Sequence, residues 1–320
     1  MTRVLITGAT GFIGSHLVRT CLTRGDDVTA LVRPSSSLEK LSDVSSSVEV
    51  VRAELTDVAY VQSIFETCQP QVVFHAAAQI KVQANAALEG SFESVQENLL
   101  TLLGVLKAAT VCKSPPRSFI RLGTNAEYGG NPVPYVEAQR EQPRDSYGAS
   151  MLAGTKYLEM LRLRLPFTVV TARLSLTYGP GQTGTQLVPY LVDNLLRGQA
   201  VHIERPDDVR DFIHVNDVVR ALLLLADNPS AGSPVINIGT GTATKVRDVV
   251  EDLVKLTGAP AELIEYGSPP GPVMKLVNDP SLIKSRYPWA PKTALKEGLR
   301  DTVEWSRNVM RSKVLTGQSA

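Results

Sequence analysis

A glycine-rich segment near the N-terminus carries the strongest chemical signal in the sequence. Gly8, Gly11 and Gly14 recur every three residues in GATGFIG, after an apolar run that predicts a strand and at the start of a helical pattern. Glycine permits a tight turn at the first position, close approach of the backbone to a pyrophosphate at the second, and close helix–strand packing at the third. Anions bind at the free N–H groups that begin a helix. The segment predicts a dinucleotide-binding loop; a glycine-rich turn without a ligand is the alternative.

The type of dinucleotide depends on residues near the end of the second predicted strand, where an acidic residue normally binds the ribose hydroxyls of NAD. That position is Val32, and the following Arg33, Ser35 and Ser36 suit the 2′-phosphate of NADP. A solvated arginine beside a flexible loop is the other interpretation. Glu54 is the acidic residue nearest to the expected one.

The elements that must position this loop alternate between short β-branched runs and longer amphipathic patterns. Strands separated by helices of ten or more residues indicate right-handed crossovers and a parallel sheet covered on both faces. The predicted fold class is α/β, a doubly wound Rossmann-type parallel sheet with a second, smaller C-terminal substrate domain. Strands are predicted at 3–7, 27–32, 48–53, 71–75, 118–122, 168–174 and 236–238, and helices at 12–24, 58–68, 92–111, 147–163 and 187–196.

The domain organisation follows from a change of pattern after Tyr178, where shorter segments rich in proline and glycine begin. We expect a dinucleotide-binding domain formed by residues 1–176 with 211–241. Residues 177–210 with 242–316 are expected to form the substrate domain.

The composition excludes several classes of function. The 320 residues are 43% apolar and 20% charged, which is enough to bury a sizeable core. With 33 basic and 32 acidic residues, the net charge of +1 argues against general affinity for nucleic acid or an acidic membrane. The three cysteines include no CxxC pair and the four histidines lack metal-ligand spacing, so we expect no metal and a reducing, cytoplasmic location.

Further motifs follow the glycine loop in a recognisable order. They are His75-Ala76-Ala77-Ala78, Asn98, Tyr147-Gly148, Arg173 with Tyr178-Gly179-Pro180-Gly181, and the run from Arg210 to Asp217. Over residues 3 to about 300 the chain resembles the extended short-chain dehydrogenase/reductase family. Most members are NAD-dependent nucleotide-sugar epimerases, dehydratases, decarboxylases and reductases. The resemblance implies the fold, the cofactor class and a nucleotide-sugar substrate, and we expect a homodimer.

The resemblance also implies the cofactor contacts. Redox-neutral members keep NAD bound, so NAD is the cofactor that we expect. Besides the three glycines, the expected contacts are Thr10, Phe12, Ile13, Arg33, Ser35, Ser36, Glu54, Leu55, Ala76, Ala77, Ala78, Asn98 and Tyr147.

The catalytic residues of the family are a serine or threonine, a tyrosine and a lysine. The tyrosine phenolate accepts a proton from a sugar hydroxyl, and the lysine charge lowers the pKa of the tyrosine. Thr124 and Tyr147 match the first two positions, but Met151 stands where the lysine is expected. Lys156 falls on the opposite side of the helix from Tyr147. A natural divergence with altered chemistry, a weak or inactive relative, and an engineered substitution all remain open.

The residues after Thr124 bear on the reaction that follows oxidation. In 4,6-dehydratases of the family an Asp-Glu pair eliminates water there, whereas this chain has Asn125 and Ala126, with Glu127 displaced by one position. A standard 4,6-dehydratase is therefore not expected. Glu127 could act as an acid or base, or be a solvated loop carboxylate. Tyr128 could contact substrate or act as a base.

The substrate contacts are expected mainly in the C-terminal lobe. Arg210 lies where family members bind a nucleotide diphosphate; the alternative is a surface arginine paired with Asp207 or Asp208. Further contacts are expected at Asn125, Leu176, Gln186, Val188 and Lys275.

The leading hypothesis is an NAD-dependent dehydratase that acts on a UDP-hexose or UDP-N-acetylglucosamine through a 4-keto intermediate. The missing Asp-Glu pair and lysine favour an unusual variant, such as a 5,6-dehydratase of antibiotic biosynthesis. The alternatives are a UDP-sugar 4-epimerase and a catalytically silent nucleotide-sensing protein.

Overall fold

Within the described residues, seven parallel strands form the central sheet, in the spatial order Val235–Ile238, Thr168–Leu174, Ser118–Thr124, Val72–His75, Arg3–Thr7, Asp27–Val32 and Glu49–Arg52. The structure is a computed structural model that describes residues 1–80, 87–229, 233–268 and 270–315. The strands are β1 (Arg3–Thr7), β2 (Asp27–Val32), β3 (Glu49–Arg52), β4 (Val72–His75), β5 (Ser118–Thr124), β6 (Thr168–Leu174), β7 (Leu176–Tyr178), β8 (Val201–Ile203), β9 (Val209–Arg210), β10 (Phe212–His214), β11 (Val235–Ile238), β12 (Thr244–Lys245), β13 (Ile264–Tyr266) and β14 (Lys275–Leu276). The predicted α/β, Rossmann-type fold class is confirmed.

Helices cover both faces of this sheet, which is why its strands are mostly apolar. The helices are α1 (Phe12–Thr23), α2 (Val58–Cys68), α3 (Ala87–Ser94), α4 (Thr101–Val111), α5 (Ser146–Leu161), α6 (Leu187–Leu196), α7 (Val215–Asp227), α8 (Val246–Thr257), α9 (Ser281–Arg286) and α10 (Leu295–Leu315). The core on one face includes residues of α1 and α7, and the core on the other includes residues of α2, α4 and α5.

Two elements differ from the prediction in ways that affect the site. The predicted helix 92–111 is interrupted by a π-helical turn, Val95–Leu100, because the buried Asn98 side chain bonds to the chain at Gln79 and to Ser150. Strand β5 runs two residues beyond its predicted end and so carries Thr124 to the carboxyl edge of the sheet.

The smaller lobe consists of short paired strands and three helices. Strand β7 pairs with β10, β9 pairs with β12 and β14, and β8 pairs with β13. Their core is built around α6, α8 and α10. Ile283, Tyr287 and Trp289 pack into the core of the central sheet instead. This segment of the predicted substrate domain therefore lies against the first lobe; the boundaries themselves stay a prediction. Within the described chain, no helix combines the length and the apolarity needed to span a membrane.

Candidate active site

A first cavity of about 390 Å³ opens at the carboxyl ends of the central strands, next to the glycine loop. Ligands of open α/β sheets bind at this edge. The predicted cofactor residues that line it are Gly8, Thr10, Gly11, Arg33, Ser36, Glu54, Leu55, Ala76, Ala77 and Ala78, together with Leu31, Val32, Thr56, Gln79, Gln96, Glu97 and Thr101.

The glycine loop has a geometry that side chains would obstruct. Gly8 has a φ of +65°, and a Cβ on it would lie 2.7 Å from the carbonyl carbon of Ala76. A Cβ on Gly14 would collide with the carbonyl oxygen of Gly8. Gly11 begins α1 without any side-chain cap, so the first N–H groups of the helix are available to an anion. The loop therefore fits the pyrophosphate of a dinucleotide.

The adenosine end of the first cavity is shaped by the loop after β2. Nη1 of Arg52 donates hydrogen bonds to the carbonyl oxygens of Arg33, Pro34 and Ser36, at 3.3, 2.6 and 3.1 Å. Sequence reasoning missed Arg52, because a side chain that bonds only to backbone carbonyls leaves no motif. Glu54 lines the same cavity and is available to ribose hydroxyls.

Six predicted cofactor residues do not line the first cavity: Phe12, Ile13 and Tyr147, which line an adjoining cavity, and Ser35, Gly14 and Asn98. Ser35 is exposed on the loop, and Gly14 is buried where α1 packs on the strand. Asn98 is 2% exposed; its Oδ1 accepts from the backbone N–H of Gln79 at 2.7 Å and its Nδ2 donates to Ser150 at 3.0 Å. Asn98 thus acts on the cavity by fixing the backbone of Gln79.

A second cavity of about 580 Å³ adjoins the first and holds the predicted catalytic pair, Thr124 and Tyr147. The two cavities share Ala78 and Gln79. Asp145 caps α5 by accepting from the N–H of Gly148 at 2.7 Å, so the helix starts where Tyr147 faces the cavity. The remaining lining is Phe12, Ile13, Ile80, Gly123, Asn125, Leu174, Ser175, Leu176, Thr177, Gln182, Thr183, Gly184, Thr185, Gln186, Arg210 and Leu276.

The Tyr147 hydroxyl has a strongly perturbed pKa. Burial is the largest cause that raises the pKa of Tyr147 to about 12, and the negative charges of Glu127 and Asp145 act in the same direction. A hydrogen bond with Thr124 and the positive charge of Arg121 act in the opposite direction and favour the phenolate. The tyrosine is therefore mostly neutral in the free protein.

Glu127 and Tyr128 do not reach the cavity, contrary to the roles considered for them. Glu127 is fully buried; it accepts from Nε of Arg173 and Oγ1 of Thr155, each at 2.8 Å, and from the Thr124 N–H at 3.2 Å. The Tyr128 hydroxyl donates to Asn237 Oδ1 at 2.8 Å beneath the sheet edge. Both side chains are occupied within the core, which explains why neither is placed to act on substrate.

Met151 also lies in the core, with 3% exposure, one helical turn after Tyr147. Its carbonyl oxygen accepts from Nη2 of Arg121 at 2.9 Å, and its sulfur lies 3.5 Å from the same nitrogen. Lys156 is half-exposed and pairs with Glu141 and Glu159, so it points away from Tyr147, as its spacing predicts.

The substrate side of the second cavity is bordered by Arg210, which also lines a third cavity of about 410 Å³. Nη2 of Arg210 pairs with Asp208 at 3.0 Å, and its Nη1 donates to the carbonyl oxygens of Val209 and Met274. The arginine therefore pairs with Asp208, as its alternative interpretation states, and still faces both cavities.

The other predicted substrate residues divide between the cavities and the rest of the lobe. Asn125, Leu176 and Gln186 line the second cavity, and the last two line the third as well. Val188 is buried in the core of the lobe at 2% exposure, because it falls on the inner face of α6. Lys275 is exposed on β14, where alternation along the strand turns its neighbour Leu276 toward the second cavity instead.

Carboxylates are absent from the lining of the second cavity within the described chain. The segment 81–86, which follows the lining residue Ile80 and lies outside the described residues, contains no Asp or Glu in its sequence. The only lining side chains with an ionisable group are Tyr147 and Arg210, as far as the structure describes them. Nor do the described residues include a cluster of side chains that could hold a metal ion.

Comparisons with known proteins place the chain in a family. UDP-glucose 4-epimerase of Mycolicibacterium smegmatis is 30% identical over 96% of this chain and 99% of its own length. dTDP-glucose 4,6-dehydratase of Salmonella typhimurium is 27% identical over 95% of this chain and 92% of its own length. The crystal structure of UDP-glucose 4-epimerase from Thermotoga maritima with UDP-glucose has a TM-score of 0.87 and 32% identity, over 96% of this chain and 99% of that one. The model of the NAD dependent epimerase/dehydratase family matches residues 4–239, and the chain belongs to that family.

Proposed function

We propose that the protein is an NAD-dependent 5,6-dehydratase of a UDP-hexose or UDP-N-acetylglucosamine. It oxidises the sugar at C4, eliminates water across C5 and C6, and then reduces C4 again. One observation carries the proposal: the second cavity offers the Tyr147 phenol at its catalytic edge and no carboxylate from the described residues.

NAD is the cofactor, as the sequence predicts, and when bound it supplies a hydride acceptor and donor. The residues that would hold its pyrophosphate are Gly8 and Gly11 with the first N–H groups of α1. Glu54 suits the ribose hydroxyls, and the loop that Arg52 fixes suits the adenine side. These assignments rest on the shape and the donors of the first cavity.

Tyr147 is the residue that we propose to accept the proton of the sugar hydroxyl at O4. Thr124, which lines the same cavity and lowers the pKa of the phenol, would hold the hydroxyl and the phenol in line. Loss of the O4 proton and of the C4 hydride turns the alcohol into a ketone. The ketone acidifies the proton on C5. Elimination then transfers this proton to the departing C6 hydroxyl group, so that the C5–H and C6–O bonds break, C5=C6 forms, and the proton and the hydroxide leave together as one water.

Whether the hydride returns to C6 or to C4 depends on which atom a proton donor of the protein can reach. Reduction of the unsaturated ketone at C6 leaves an enolate, which needs a proton delivered to C5. Reduction at C4 leaves an alkoxide at O4, which Tyr147 is placed to protonate. Because Asn125 and Ala126 replace the acidic pair of 4,6-dehydratases, the second route is the one for which the described residues offer a protein acid, Tyr147. The expected product therefore keeps a C4 alcohol and an exocyclic 5,6-alkene.

A UDP-sugar 4-epimerase is the second candidate. It needs Thr124 and Tyr147 but no group for elimination, so the absence of a lining carboxylate favours it too. The similarity to UDP-glucose 4-epimerases supports the same choice.

The nucleotide diphosphate is proposed to bind between the second and third cavities. Arg210 faces both, and its guanidinium suits two phosphate oxygens. Leu176 and Gln186 line both cavities, so the third cavity is available to the uracil.

The test is a reaction with UDP-glucose or UDP-N-acetylglucosamine deuterated at C4, read by mass spectrometry and NMR. Loss of one water with deuterium kept at C4 is the expected result. Deuterium in a C6 methyl group would identify a 4,6-dehydratase, and an isobaric sugar inverted at C4 would identify an epimerase. No product from either sugar would contradict the proposal. Tyr147→Phe is the control and should remove all turnover.

We also propose that the protein is a cytoplasmic homodimer. Leu88, Phe92, Met160 and Leu163 are exposed apolar side chains on α3, α5 and the turn after α5, and α3 packs against α5. Exposed apolar side chains on neighbouring helices support an interface there. Light scattering should give the mass of a dimer, and Phe92→Glu should give a monomer.

A further inference from the structure

The lysine position in α5 is filled by an apolar residue that contacts a buried cation. Met151 lies four residues, about 6 Å along the helix axis, from Tyr147. Its carbonyl oxygen and its sulfur both contact Nη2 of Arg121, which reaches up from β5. A cation is thus present beside the lysine position, although it comes from another element.

Arg121 is held at this place by several residues of α5. It is 1% exposed, and its Nη1 donates to Oγ1 of Thr155 at 2.9 Å. A Cβ on Gly154 would lie 2.7 Å from its Nη2 and 2.8 Å from its Cζ, so the helix needs glycine there. Glycine inside a helix costs about 1 kcal/mol relative to alanine. Three positions of α5 therefore accommodate the guanidinium: Met151, Gly154 and Thr155.

The charge of Arg121 is not neutralised by a direct ion pair. Glu127, the nearby carboxylate, pairs with Arg173 at 2.8 Å, and within the described chain no acidic side chain lies within ion-pair distance of Arg121. Burying a charge without an ion pair costs free energy, which the hydrogen bonds to Thr155 and Met151 offset in part. Its field acts on Tyr147 in the direction that favours the phenolate.

We propose that Arg121 supplies to Tyr147 the positive charge that the family's lysine supplies from position 151, and that Met151 positions its guanidinium. The inference rests on the proposed role of Tyr147 as the base. Arg121 is a positioning residue in this scheme, since it acts through Tyr147 and does not line the second cavity. A lysine at position 151 would face the guanidinium within contact distance, which explains why the chain carries only one of the two cations.

Charged groups other than Arg121 also lie near Tyr147 and contribute to its pKa. Glu127 and Asp145 raise the pKa of Tyr147, and Arg210 lines the same cavity. Further charged side chains on elements that pack against α5 are Glu93 on α3, Glu97 on the π-helical turn, and Arg173 on β6.

The test measures the pKa of Tyr147 in the NAD-loaded protein by NMR of tyrosine labelled with ¹³C at Cζ. The Tyr147 signal is assigned by its loss in Tyr147→Phe. Arg121→Met, which keeps the volume and removes the charge, should raise this pKa by about one unit. The acid limb of the pH–rate profile should move upward equally, with turnover restored at high pH. An unchanged pKa and an unchanged limb would overturn the inference.

The double variant Arg121→Met with Met151→Lys tests the same idea if the single variant does not fold. It moves the one cation to the family's position, so the pKa of Tyr147 should stay within about half a unit of the parent. If Arg121 had no effect, the new lysine would be an added charge and the pKa would fall by a unit or more, which would overturn the inference. Activity of Tyr147→Phe, or a different product, would refute the proposed function without bearing on this pKa.

Discussion

Replacing Glu127 with glutamine separates a structural from a catalytic role for this carboxylate. Its two oxygens accept from Arg173, Thr155 and the Thr124 N–H. An amide has one acceptor oxygen, so its NH₂ group must face one of these donors. Removing one partner of a buried ion pair costs about 3–5 kcal/mol. Because Glu141 still pairs with Arg173, we expect the free energy of unfolding to fall by the lower end of this range, about 3 kcal/mol. The Tm should fall by roughly 5–10 °C.

The same change should leave catalysis intact. The negative charge of Glu127 raises the pKa of Tyr147, so its removal lowers that pKa and moves the acid limb of the pH–rate profile downward. Turnover at neutral pH should be maintained or increased. The assay combines calorimetric unfolding with turnover against pH, measured well below the melting temperature.

Glu141→Gln is the matched control. Its carboxylate pairs with the same Arg173 at 2.7 Å and with half-exposed Lys156 at 2.9 Å. It should cost less stability than Glu127→Gln and should not move the pH profile, since it is not among the charges acting on Tyr147. A Glu127→Gln enzyme with unchanged melting and turnover lost at every pH would refute this reasoning and restore Glu127 as an acid or base.

Three further predictions concern the cofactor, the substrate and acid stability. Gly11→Val should weaken NAD binding at least tenfold in calorimetry, because even a Cβ there lies 3.0 Å from the Gly8 carbonyl oxygen; unchanged affinity would contradict the loop assignment. Arg210→Ala should weaken UDP binding by about 1.5–3 kcal/mol with NAD affinity unchanged, whereas exposed Lys275→Ala should alter neither. Burial lowers the pKa of His75 to about 3, so its neutral form stabilises the fold above its ordinary pKa of about 6.5. Stability should fall by about 1.4 kcal/mol per pH unit below that value, and His75→Gln should reduce this slope in denaturant titrations.

Local signals in the sequence predicted most of the sheet and the cofactor cavity. Helices α2 and α6 and strand β6 have the predicted bounds, since each combines a clear period with turn residues at its ends. Ten predicted cofactor residues line the first cavity because the carboxyl ends of parallel strands meet at one edge. The π-helical turn at Val95–Leu100 has no counterpart in the 3.6-residue period and could not be read from it.

We propose that Arg121 replaces the lysine that is missing at position 151. This replacement depends on the contact between Arg121 and Met151, which lie thirty positions apart, and no local pattern in the sequence reveals it. One signal was nevertheless present. Arg121 stands inside the apolar strand β5, where a charged side chain needs a specific partner. The sequence allows a distant residue to supply the charge near Tyr147, but it does not identify Arg121 as that residue, because the contact forms only when the topology brings α5 over β5.

The acidic residue after Thr124 is Glu127, and its position in the turn decides whether its side chain faces the sugar or the core. Residues Asn125–Glu127 form a 3₁₀ turn, in which successive side chains are rotated by about 120°. Asn125 faces the second cavity, so Glu127, two positions later, must face another side, and there it meets Arg173. A shift of one residue thus moves the carboxylate from the sugar to the core. The cavity is left with a phenol as its acid, and this is why we expect the C4 oxygen to receive the final proton.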